Sequence, residues 1–164
     1  MASKIESSEY TELAQVIGWF IVLRWIAFVG VAVTLAAARL TRLYELPYAP
    51  LFGVTGLLGL LNLLFAAWFR LVKRRNLSRR ETAGFFHAQI SCDFALLFLL
   101  VYLTGFLENP FSGFFVFHLL LTAFIFNARV VYAYVGALST VIAAAFLAEY
   151  LGLNPQPTFY VESV

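Results

Sequence analysis

Leu51 to Phe69 runs without a single charged residue, and four other stretches come close to it: Trp25–Tyr44, Phe85–Leu103, Phe111–Phe126 and Val130–Leu151. A bilayer core of about 30 Å is crossed by about 20 apolar residues in an α-helix. Helices and closed barrels are the only structures that satisfy every backbone group in lipid. The chain of 164 residues is 62% hydrophobic and 12% charged, more apolar surface than a soluble domain of that size can bury. The sequence therefore predicts an all-α integral membrane protein, a bundle of five transmembrane helices with an N-terminal interfacial helix or extension.

Three segments follow. Residues 1–23 form an N-terminal cytoplasmic or interfacial segment, polar and expected to be disordered over 1–9 and then helical from Tyr10. Residues 24–151 form the transmembrane domain, with Arg24 expected at the membrane edge, its stem letting the charge reach the headgroups. Residues 152–164 form an extracytoplasmic tail. Pro47 and Pro50 mark the first connection. Gly53, Gly56 and Gly59 recur every third residue and predict a shallow strip for close helix approach. Six of the eleven basic residues fall between Arg70 and Arg80, which places that loop in the cytoplasm. Ser78–Glu81 reads as a capping box opening the third helix, and Asn127–Arg129 as a break between the fourth and fifth. The N-terminus is then inside and the tail outside. Glu6, Glu9 and Glu12 against one Lys argue against a cleaved signal peptide. Cys92 is the only cysteine, so no internal disulfide forms.

Asp93 dominates the chemistry. It lies about eight residues, or about 12 Å, into the third span. An intramembrane carboxylate is costly and marks function, unless it is protonated or paired merely to lock helices together. His118 on the fourth span is near it in depth and is a candidate partner. Gln89 lies one turn before Asp93 on the same face, and Asn62 on the second span reaches a similar depth. These four residues are the expected membrane polar network. His87 reads as an interfacial polar group. Phe94, Phe98 and Tyr102 make one aromatic stripe, and Phe111, Phe115, His118 and Thr122 another, each serving packing or framing a ring-shaped ligand. No metal-ligand spacing, phosphate-binding loop, hydrolase nucleophile or nucleic-acid-binding pattern is present in the sequence.

Gly105, Asn109, Pro110 and Phe111, on the turn TGFLENPFS, stand after an intramembrane Asp. Together with Leu23-Arg24-Trp25 and Asn62, they resemble the membrane sensor domain of RegB-type, quinone- or redox-responsive bacterial histidine kinases. The shared feature is a Gly-Gly-x-x-Asn-Pro-Phe motif at a helix connection; Phe106 stands at the second Gly. The resemblance covers roughly Leu23 to Tyr150 and includes no kinase core.

It implies a signal-input domain in the bacterial inner membrane that detects ubiquinone or menaquinone, with Asp93, Gly105, Glu108, Asn109, Pro110, Phe111, Phe115 and His118 as the ligand-binding set. It also implies a homodimer, a response regulator as partner, and a sixth span and ATP-binding kinase core beyond Val164. Two other readings stay open: a small proton-coupled carrier using Asp93 and His118, and a structural subunit of a membrane complex. Five unequal spans without an internal repeat count against the carrier.

Overall fold

The computed structural model describes residues 2–42, 46–72, 79–106 and 110–153, with the side chains of 2–14, 16, 72, 79, 80, 110 and 111 left aside. All regular structure among these residues is helical: α1 (Ala2–Thr41), α2 (Tyr48–Val72), α3 (Arg79–Leu103), α4 (Phe114–Ile125) and α5 (Ala128–Tyr150), with a 3-10 turn at Pro110–Gly113 leading into α4. Each helix packs on the next in the chain. Four of the five are long and apolar enough to cross a membrane, over Ile17–Thr41, Tyr48–Leu71, Glu81–Leu103 and Ala128–Tyr150. The chain is a multi-pass, all-α membrane protein.

Three expectations need correction. Residues 2–9 are not irregular but the first turns of α1. Of the two expectations for Tyr10–Leu23, an extension of the first helix agrees with the structure and a separate interfacial helix does not, since α1 continues unbroken through it, and Arg24 stands inside the apolar span rather than at its edge. The fourth helix is short. Its 12 residues rise about 18 Å at 1.5 Å each, less than a bilayer core. The 3-10 turn before it adds about 8 Å at 2.0 Å per residue.

The breaks have local causes. Asn127 caps α5 by accepting a hydrogen bond on Oδ1 from the Val130 amide at 3.2 Å, so the expected interruption between α4 and α5 is present. The Ser78 cap and the basic residues Lys73–Arg75 lie outside the described residues.

Two aromatic cores hold the helices. One joins α1, α2 and α3 through Ile17, Phe85 and Phe86, with Phe20, Phe65 and Trp68 around them. Trp68 and Phe85 stack at 4.2 Å. The other joins α3, α4 and α5 through Ile90, Phe94, Val101, Phe106 and Phe115, with Tyr134 and Leu138 from α5 against it. Ile125 and Phe126 touch both cores. The outer surface carries large exposed apolar side chains, including Trp19, Leu40, Phe124 and Tyr132. In lipid these lose nothing, because acyl chains are as apolar as leucine, and packing decides which helices associate.

Of the three-residue glycine strip, only Gly59 makes a close approach. A Cβ there would stand 2.8 Å from the Phe28 ring of α1, whereas Gly53 and Gly56 face open space. Gly59→Ala is expected to loosen the α1–α2 contact and lower thermal stability in lipid nanodiscs. Gly53→Ala and Gly56→Ala are expected to be neutral or to gain up to about 1 kcal/mol of helix propensity. Equal effects at all three positions would rule out the close approach.

Candidate functional site

Asp93 and Arg24 meet in the middle of the α1–α2–α3 packing. Arg24 donates from Nε (3.0 Å) and Nη2 (2.7 Å) to the same carboxylate oxygen, Oδ2 of Asp93. Nη2 also donates to the backbone carbonyl of Gln89 at 2.7 Å. The Arg24 guanidinium lies 4.6 Å from the centre of the Phe65 ring on α2, a cation–π contact worth roughly 0.5–2 kcal/mol by burial. Arg24 is only 6% exposed. The pair thus ties α1 to α3, with α2 supplying the aromatic wall. Excellent geometry is what allows two charges to remain in a low-dielectric interior.

Asn62 occupies the same layer from α2. It does not bond Asp93; its Nδ2 donates to the Ile21 carbonyl of α1 at 3.4 Å. Gln89 shares the Asp93 face as expected, completely enclosed. Leu58, Leu61, Cys92 and Leu96 complete the crevice around Arg24, Asn62, Phe65 and Asp93, and it is too narrow to admit a water molecule. Cys92 is a half-buried free thiol on its wall.

His118 does not join this network. Its Nδ1 donates to the Phe114 carbonyl one turn earlier at 2.9 Å, since a carbonyl oxygen only accepts. Its ring tilts against Phe94 at 5.8 Å, on the α4 side of α3. The side chain directly bonded to Asp93 is thus Arg24 and not His118. Phe115 is buried in the second core, and Gly105 has a positive φ of 94° that suits glycine. Glu108 and Asn109 lie outside the described residues, and Pro110 and Phe111 are described only as backbone of the 3-10 turn. The residues expected to bind one ligand thus fall into two groups: Asp93 faces α1 and α2, while Phe115 and His118 lie with α4.

A second polar cluster, not foreseen from the sequence, joins α3 to α5. The Tyr134 hydroxyl lies 3.1 Å from Nδ1 of His87 and 3.0 Å from Oγ of Ser91. The His87 ring stacks on Phe126 at 4.1 Å. His87 is accordingly a bundle-facing group rather than a headgroup contact. Tyrosine at membrane depth needs such partners for its hydroxyl, but no spacing in the sequence links Tyr134 to His87.

Arg24 is the functional-site residue whose role the sequence reading missed. Arg24 and Asp93 are the two charges that lie well inside apolar runs, and they have opposite sign. Helices α1 and α3, two apart in an antiparallel succession, enter from the same side. Arg24 then lies about 10 Å into the span that begins at Ile17, and Asp93 about 12 Å beyond Phe85. Depth and sign together were a usable signal.

No protein-family model, curated protein or solved structure matches this chain.

Proposed function

We propose that this chain is the membrane signal-input domain of a two-component histidine kinase in a bacterial inner membrane, and that it responds to the redox state of ubiquinone or menaquinone. One observation carries the reading. Arg24, Asn62 and Asp93, scattered over three helices and all among the residues that bear the resemblance, converge on one buried layer. Such a layer, held by one ion pair, is suited to having two packings that a ligand can bias. The turn from Gly105 to Phe111, with Phe115 and His118 beside it, is the ligand-facing part in this reading. These 164 residues carry no ATP-binding or phosphoacceptor motif, so in this reading a kinase core outside them binds ATP and addresses a response regulator as a separate partner.

The test begins with the gene. The reading frame should continue past codon 164 through another apolar span into a histidine-bearing dimerisation helix and an ATP-binding domain. The full protein in liposomes should then autophosphorylate at rates that differ severalfold between oxidised and reduced short-chain quinone. Asn109→Ala should abolish that difference. A stop codon after Val164, or a rate indifferent to quinone in the wild type, would remove the quinone-sensing kinase reading.

A further inference from the structure

Gln89 lies at the centre of the face that α3 turns to α1 and α2. Positions 85, 89, 92, 93 and 96 share that face by helical spacing; Phe85 packs on Trp68, and Asp93 meets Arg24. Gln89 is 0% exposed, yet neither Nε2 nor Oε1 of its side chain has a hydrogen-bond partner among the described residues. Nη1 of Arg24 and Oδ1 of Asn62 are in the same condition. The bond from Asn62 Nδ2 to the Ile21 carbonyl fixes which way that amide points. Three helices thus contribute two uncommitted donors and two uncommitted acceptors: Arg24 and Asn62 line one crevice, and Gln89 adjoins it through its backbone carbonyl, which accepts from Arg24 Nη2. A buried amide left without partners forfeits the hydrogen bonds it makes to water when unfolded, and a leucine at 89 would fill comparable space without that cost. Polar residues kept inside a membrane span at such expense mark a site.

The layer also defines what it can take. Arg24 and Asp93 already balance each other, so an added ion would leave a charge uncompensated. The crevice admits no water molecule in this packing, so whatever enters is compact and requires the helices to part slightly. A carbonyl would serve Arg24 Nη1 and Gln89 Nε2 but leave the Asn62 oxygen unmet. A hydroxyl both accepts and donates.

We infer that Arg24, Asn62 and Gln89 form an intramembrane binding site for one hydroxyl group, admitted when α1 separates slightly from α2 and α3. The hydroxyl oxygen accepts from Arg24 Nη1, and its hydrogen goes to Asn62 Oδ1 or Gln89 Oε1. Two sources in a bilayer present this chemistry: a penetrating water molecule and the hydroxyl of a membrane-dissolved alcohol. The site needs only these three side chains and does not rest on the signal-input reading.

X-ray hydroxyl-radical footprinting of the protein in lipid nanodiscs tests it, because radicals form from water held beside the labelled side chain. Cys92 lines the crevice and reports on it; Phe94, on the opposite face of α3, is the control. Oxidation of Cys92 is expected in the wild type and should fall severalfold in both Gln89→Leu and Asn62→Leu, with Phe94 unchanged. Circular dichroism should show both variants helical, and Gln89→Leu should melt no lower than the wild type. Added 1-octanol, but not octane, suppressing Cys92 oxidation would show that an amphiphile's hydroxyl competes for the site. No effect of octanol would identify water as the occupant. Cys92 oxidation that is absent from the wild type, or the same in the wild type and both variants, overturns the proposal.

Discussion

Asp93→Ala is expected to destabilise the folded bundle by about 3–5 kcal/mol, the usual consequence of removing one partner of a buried ion pair. The loss comes less from the missing attraction than from what stays behind. Arg24 is buried at 6% exposure among Phe65, Leu58 and Leu61 and has no second carboxylate in the crevice. Arg24→Met should cost a similar amount, because it strands the Asp93 carboxylate. The double variant Arg24→Met/Asp93→Leu should recover most of the loss and equal or exceed the wild type, since well-packed apolar replacements of a buried pair are often neutral or stabilising. Reversible unfolding of the four proteins in bicelles yields the coupling directly. Two single substitutions that simply add in the double variant would mean that the two residues do not stabilise the fold as a pair. If the double variant is stable but the quinone response proposed above is lost, the pair is retained for switching rather than for stability.

Phe106→Ala is expected to cost about 3–5 kcal/mol, as for other large aromatic truncations. Phe106 is 3% exposed, sits in the α3–α4–α5 core and packs its ring against Phe98 at 5.9 Å and Tyr102 at 6.2 Å. It does so with a φ of 40°, in the left-handed region, where a residue with a Cβ carries roughly 1–2 kcal/mol of strain. Glycine has no such penalty. Phe106→Gly should therefore be less damaging than Phe106→Ala by about 1 kcal/mol, the reverse of the order found inside a helix. If alanine proves the milder substitution, the left-handed turn is not kept in the variant. Here a buried ring is gained in exchange for a strained backbone.

How much of this was legible beforehand depends on the range of the interaction. Apolar runs announce helices because lipid satisfies no backbone group, and that inference needs no tertiary information. The Asn127 break was likewise visible, because its capping partner is only three residues away. Asp93 stood out as an intramembrane acid wherever the helices went. Its partner did not, because Arg24 is 69 positions away in the chain and its place near the start of the first apolar run suits a headgroup contact equally well. Apolar content predicts a fourth helix from Phe111, whereas the α-helical geometry begins at Phe114. Tyr134 had no periodic relation to His87 and became visible only when α5 was laid against α3.

What the sequence by itself determined is the solvent: a chain this apolar, with charges pushed toward the ends of its runs, must lie in a bilayer as helices. Tertiary structure alone decided which polar groups meet. Within lipid the hydrophobic effect no longer distinguishes one helix face from another. Close packing, as at Gly59 against Phe28, and the need of each intramembrane charge for an opposite one at its own depth set the arrangement.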